Sequence, residues 1–339
     1  MKLLLRLLRF VIVFSLAWFL LSCTRSSEKD NFEKANISIR RFEQDLFSLS
    51  VYHLEDSIEY LRREYPDFFP LFCSKVIEIG DPDDPEFISG LKAFVTDFTI
   101  FRVSRRVAEV FPDLRTFEND FGNAFGRYES FFPEKPVPAI LTCISGFNQS
   151  IITFEGHLVI SLDKYLGPDD EFYKLMYPPV PQYQRRVMRP EKIVPDALQA
   201  WLITEFPFND NKYNLASNMI YQGRVLYVVR KLLPGISDTL LFGYTRNELD
   251  FCVDHEKSMW EYLVENKKLF ITDHFTISQF IGEGPFTKDF SQESPGRAAI
   301  WQGYRIVDSY MRHNREVSLE QLMRENDYQD ILNLSRYDP

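Results

Sequence analysis

The chain has 339 residues, of which 45% are hydrophobic and 26% charged, and its formal net charge is −10. That balance suits one large globular body. It excludes nucleic acid as a partner, because binding a phosphate backbone needs a basic face.

The first 22 residues read as an export signal. Lys2, Arg6 and Arg9 form a positive opening, Phe10 to Leu21 is an uncharged run, and Leu20-Leu21-Ser22-Cys23 closes it with a small residue before a cysteine. Positive charge holds the start inside while the apolar run inserts, and 12 residues are too few for a spanning helix of about 20. The alternative is an uncleaved anchor helix with an incidental cysteine. Removing the signal takes away three basic residues, leaving 317 residues and a net charge of −13. Thr24 to Lys34 is polar and reads as a tether, so residues 23–34 are expected to link a lipidated Cys23 to a single α-rich domain over 35–339. Thr24 stands where an inner-membrane retention signal places Asp, which points to the outer membrane.

Further along, Ile37 to Leu49 begins as an alternating stretch and passes into a helix, and Leu54 to Tyr65 is a second helix stopped by Pro66. Asp81 to Pro85 is a charged turn. Phe87, Leu91, Phe94, Phe98 and Phe101 recur every three or four residues, the pattern of one long amphipathic helix ending near Pro112. Leu114 to Tyr128 is another helix. From Val137 the character changes to three β-rich runs, at Ala139 to Ile144, Ser150 to Phe154 and His157 to Leu162, which predict a small meander-like sheet over about 137–165. Helices return at Pro195 to Phe206, Leu215 to Leu233, Thr245 to Leu263 (opened by a capping box, Thr245-x-x-Glu248), Ser294 to Tyr310 and, after Ser318-x-x-Gln321, a short terminal one. The fold class is α+β, predominantly helical with a small central sheet.

Thirty-one phenylalanines are the compositional oddity, four of them in Phe-Pro steps at 69, 111, 132 and 206. Proline disfavours helical geometry in the residue before it, so these steps read as helix ends whose ring plugs the core. An aromatic groove for a peptide is the alternative. Cys73, Cys143 and Cys252 read as buried thiols, with one disulfide open among them. The five histidines are scattered without i, i+4 pairing, and no Walker loop, G-x-S-x-G elbow or dinucleotide fingerprint occurs, so no metal or cofactor is expected.

Two places carry polar groups able to form a site. The first is Glu293-Ser294-Pro295-Gly296-Arg297, followed by Gly303, Tyr304, Arg305 and Asp308. Glu293 would complement the positive end of a helix dipole, Gly296 and Gly303 would admit another backbone, and Arg297 and Arg305 would pair with distant carboxylates. A cap and a salt-bridged helix face would look the same. The second is the Pro195 helix beside the sheet, with Asp196, Gln199 and Glu205. Asp196 there reads first as a dipole partner, and Asp163 and Tyr165 read as turn residues. Gln222 interrupts an apolar stripe.

The Ser22-Cys23 junction resembles a lipobox, which implies a diacylglyceryl lipid on Cys23. The turn Ile144 to Phe147, V-I-S-L-D-K-Y-L-G at Val159 to Gly167, I-V-P-D-A at Ile193 to Ala197, M-I-Y-Q-G-R-V-L-Y at Met219 to Tyr227, and the blocks from Glu293 to Met311 resemble the gliding motility lipoprotein family GldB. That resemblance implies an envelope lipoprotein, anchored to membrane through Cys23 and working with envelope protein partners in surface motility or secretion. The family is also distantly similar to zinc peptidases with H-E-x-x-H after a comparable strand. Their histidines would fall on Ala200 and Thr204, their glutamate on Trp201, and a later Glu-Gly on Gln222-Gly223. These residues lack metal affinity, so the resemblance implies a zincin-like scaffold without its zinc. The leading expectation is a non-enzymatic, partner-binding component. The alternatives are a peptidase-like hydrolase built from Glu293, Asp196, Glu205 and a histidine such as His157, and a lipid or small-molecule carrier.

Overall fold

Proline and aromatic chemistry sets many of the helix ends in the computed structural model, which describes residues 32–50, 54–209 and 213–339. The export signal, Cys23 and most of the tether lie outside the described residues. Strand β1 (Ile39–Arg41) runs directly into α1 (Phe42–Phe47), followed by α2 (Leu54–Glu64), α3 (Phe68–Leu71) and a π-helical turn at Phe72–Val76. Next come α4 (Phe87–Thr96), α5 (Phe98–Val110) and α6 (Arg115–Phe131). Phe111, Phe132 and Phe206 each end a helix with ψ between 65° and 70°, and each ring is buried. The pre-proline restriction thus supplies both the stop and the plug. Phe69-Pro70 departs from this pattern, lying inside α3.

The expected long helix over Phe87 to Pro112 is two helices. Asp97 leaves the helical region (ψ 129°) and its carboxylate accepts the backbone N–H of Ile100, capping α5. A side chain that satisfies an orphan N–H competes with continuation of the preceding helix. The face therefore changes, and Phe98 and Phe101 point to solvent.

The sheet combines β1 with β2 (Ala139–Cys143), β3 (Ile151–Phe154) and β4 (His157–Ser161), in the order β1-β2-β4-β3. It is not a meander. β2 runs parallel to both β1 and β4, and only β3 and β4 form an antiparallel hairpin. A parallel neighbour needs a crossover, which the Ile144 to Ser150 segment and β3 provide. The fourth strand also comes from outside the expected 137–165 stretch. Alternation along β2 and β4 then sorts the core onto two faces. Leu141, Cys143, Ile152 and Val159 pack with α1 to α4, whereas Ile140, Leu158 and Ile160 pack with α5, α6 and the later helices.

Those later helices are α7 (Glu171–Leu175), α8 (Gln182–Arg185), α9 (Ile193–Glu205), α10 (Leu215–Leu232) and α11 (Asp238–Phe242). They continue with α12 (Arg246–Asp254), α13 (Glu256–Glu265), α14 (His274–Ile281), α15 (Ala298–His313), α16 (Leu319–Arg324) and α17 (Tyr328–Ser335). Both expected capping boxes are formed, at Thr245/Glu248 and Ser318/Gln321. The Thr245 helix, however, breaks at His255 into α12 and α13. Helices α10 and α15 cross where Gly223 meets Gly303. A Cβ on Gly303 would overlap the Met219 carbonyl, and one on Gly223 would overlap the Gly303 backbone. Lys34–Pro339 forms one compact unit, and Cys73, Cys143 and Cys252 are buried and unpaired.

Candidate functional site

Helix α9 places Asp196, Gln199, Ala200 and Ile203 at i, i+3, i+4 and i+7, which is one face. This face forms a wall of a cavity of about 350 Å³, lined on other sides by Ser150 and Ile151 where β3 begins, Tyr183 and Arg186, residues 241–244 at the end of α11, and Gly296 and Arg297 before α15. β3 is the last strand of the sheet, so the cavity lies between a sheet edge and a helix. Thr204 and Thr153 join their hydroxyls at 2.8 Å and fix α9 to β3.

The polar groups of the cavity are strongly paired. Asp196 Oδ1 accepts from Lys192 Nζ at 2.8 Å and Oδ2 from the Tyr165 hydroxyl at 3.2 Å. Lys192 also donates to the Leu240 carbonyl. Burial first, then the Asp196 charge, pushes the Tyr165 phenol well above its ordinary range, while a hydrogen bond with Ser150 lowers it. The phenol therefore stays protonated and donates. Arg186 pairs with Glu248 at 2.7 Å, the same carboxylate that caps α12. Arg297 pairs with Glu283 at 2.8 Å, and its carbonyl accepts from the Tyr244 hydroxyl. Three cations and three carboxylates thus neutralise one another around the opening.

Asp196, Gln199, Gly296 and Arg297 are the predicted residues that line this cavity. Asp196 proves to be more than a dipole partner, since it joins Lys192 to Tyr165. Asp163 does not line the cavity; it is fully buried and accepts the backbone N–H groups of Ser145 and Phe147. It pins the turn that leads into β3. Burial raises its carboxyl to about 6 against the pull of those donors.

The remaining predicted residues do not line the cavity. Glu293 is exposed and lies before Arg297, the true N-cap of α15, so it does not complement that helix dipole. The first N–H of α15 is met instead by Thr287 Oγ1, at 3.1 Å from the Ala298 nitrogen. Gly296 is needed in this loop because a Cβ would strike the Gly284 carbonyl. Glu205 pairs with Lys135 at 3.1 Å, Arg305 with Glu256 at 2.9 Å and Asp308 with Arg312 at 3.3 Å. Tyr304 is buried against the Tyr227 and Phe242 rings. Gln222 is half-buried on α10 outside the cavity. His157 stacks on Phe154 at the β3–β4 turn, so it and Glu205 and Glu293 do not join Asp196 in a composite hydrolytic site.

Sequence reasoning missed Lys192, Arg186, Glu283 and Tyr244 as cavity residues. Lys192 had a readable signal, its i, i+4 spacing to Asp196. The others come from loops far away in sequence. At the positions where the resemblance would place the peptidase motif, Ala200 offers a methyl group to the cavity, Trp201 is buried, and Thr204 is bonded to Thr153. These side chains do not fit a zinc ion. Among the described residues, no three His, Cys, Asp or Glu side chains cluster as metal ligands.

These features define a helix-rich α+β body with a charge-paired cavity between the sheet edge and a packed helix. Comparison with curated proteins and with solved structures gives no significant match. The family model described as gliding motility protein GldB matches residues 23–339, nearly the whole chain. The chain therefore belongs to this family of gliding motility lipoproteins. Among the described residues, no helix is long and apolar enough to cross a membrane.

Proposed function

We propose that this protein is a non-enzymatic component of the gliding machinery, held at the outer membrane by a lipid on Cys23, and that its β3–α9 cavity binds an extended segment of an envelope protein partner. The observation that carries this reading is the chemistry of the α9 face. Ala200 stands where a peptidase would present a metal ligand, yet the adjoining cavity persists beside the edge strand. An edge strand leaves backbone donors and acceptors available to an added strand. The neighbouring cavity supplies specificity through Tyr183 and Gln199. A zincin-like scaffold without zinc agrees with this strand–helix arrangement.

The test replaces Ala200 with Phe, which fills the cavity, and separately Asp196 with Asn, which removes one charge. Gliding in the parent bacterium should be lost with Ala200→Phe and kept with Asp196→Asn, both proteins remaining folded by circular dichroism. Normal gliding with the filled cavity would reject it as the binding site. Loss of function in a folded Asp196→Asn protein, or one equivalent of zinc in the purified protein, would favour chemistry over binding.

A further inference from the structure

The outward face of α5 carries two phenylalanines, among charged neighbours, in a place where packing does not explain them. Val103 and Val107 point into the core, while Phe98 and Phe101 stand 72% and 51% exposed on other sides of the helix. Leu175, at the end of α7, is 71% exposed, and Tyr177 is fully exposed two residues on. Arg102 stitches the two segments together. Its guanidinium lies 5.9 Å from the Phe98 ring and 5.3 Å from the Phe172 ring, and it pairs with Glu171. Arg106 adds a second link to Asp170 at 2.9 Å.

We propose that this joined surface, Phe98 and Phe101 with Leu175 and Tyr177, rests in the headgroup region of the bilayer that carries the Cys23 lipid. The proposal relies on the lipid anchor. Large apolar side chains exposed together on two linked segments mark an interaction face. Two observations favour a lipid surface as the occupant. Exposed Arg105 lies on the same helix, where a long cationic side chain can reach phosphate while neighbouring rings sit deeper. Finally, the 11 peptide steps from Cys23 to Lys34 extend to at most ~40 Å. A lipid on Cys23 therefore keeps the body within reach of the bilayer, and the second contact becomes intramolecular. Insertion here is driven by aromatic burial, which agrees with an acidic body that lacks a basic grip on lipid.

The experiment uses the full lipidated protein, reconstituted in vesicles of phosphatidylethanolamine with a minor fraction of phosphatidylglycerol. An environment-sensitive fluorophore is placed on Thr99→Cys or Lys174→Cys, beside the patch, and on Lys257→Cys or Leu334→Cys as exposed controls. The native Cys73, Cys143 and Cys252 are buried and resist labelling. The labels at 99 and 174 should brighten several-fold, shift to the blue and be quenched by a lipid-borne nitroxide, while those at 257 and 334 stay water-like. Water-like emission at 99 and 174, or equal quenching at all four sites, would overturn the proposal. Mass spectrometry of Cys23 and vesicle flotation of the unlabelled protein test the anchor separately. A protein that is unlipidated and fails to float would overturn the anchor itself, and the proposal with it.

Discussion

The two faces of the sheet are closed by different means. On one face, α1 to α4 are short and contribute rings: Phe42 meets Tyr65, Phe68 and Phe72 edge-on at 4.8–5.0 Å, and Phe69 meets Phe87 at 5.9 Å. On the other, α10 and α15 are 18 and 16 residues long and approach backbone to backbone at Gly223 and Gly303. Short helices present few ridges, so large side chains must span the gap between them. Long helices gain many contacts from close approach, provided no Cβ intervenes. Phe42, Phe68, Phe69, Phe72 and Phe87 are thus used in packing on the first face, and need no ligand groove to account for them.

The difference can be broken most sharply at the glycine crossing. Helix propensity alone favours other residues over Gly in a helix interior, by up to about 1 kcal/mol. At Gly303 the side chain would meet the Met219 carbonyl, and backbone cannot move aside as a rotamer can. Gly303→Val should therefore cost more than about 5 kcal/mol and leave no soluble folded protein, as judged by expression and circular dichroism. A normal melting temperature would show that the two helices can separate without loss.

The aromatic face should yield more gradually. Phe72 is fully buried and touches Phe42, Phe68 and Phe94. Phe72→Ala should cost about 3–5 kcal/mol, read from denaturant midpoints, with the protein still folding. A much smaller loss would mean that the short helices collapse into the vacated space.

The smallest effect is expected at the sheet itself, through pH. Burial holds the Asp163 carboxyl at about 6 in the folded protein against an ordinary 3.8. The folded state then binds this proton more tightly than the unfolded chain, so stability falls as pH rises from about 4 through 6. The loss amounts to no more than about 3 kcal/mol. Glu43, buried beside Thr142 in β2, is also raised by desolvation and acts in the same direction. Asp163→Asn should flatten part of the decline seen in unfolding measurements across that pH range. An unchanged slope would show that Asp163 is solvated in the native state.

Within the functional region, legibility followed sequence distance. Asp196, Gln199 and Glu205 group by lying on one helix, but only the first two share the face that meets the cavity. Arg297 was noticed for its neighbours, but the sequence could not say that Glu283, rather than Glu293, would meet it. The periodicity of Phe87 to Phe101 misled because a local competitor, the Asp97 cap, interrupts the helix and rotates the register. The meander expectation failed for a different reason: strand runs identify strands, while their order depends on pairing energies between distant segments.

The sequence by itself determined the family, the predominantly helical class, both capping boxes, and the stops at three Phe-Pro steps. Each depends on interactions within a few residues or on a pattern along the chain. Tertiary structure alone decided that β1 joins the sheet and that β3 becomes its edge. It alone also brought Arg186, Tyr244 and Arg297 to one cavity and left Phe98 facing outward. Those outcomes rest on contacts between segments tens to hundreds of residues apart. Helical spacing says which side chains share a face, but only packing decides what that face meets.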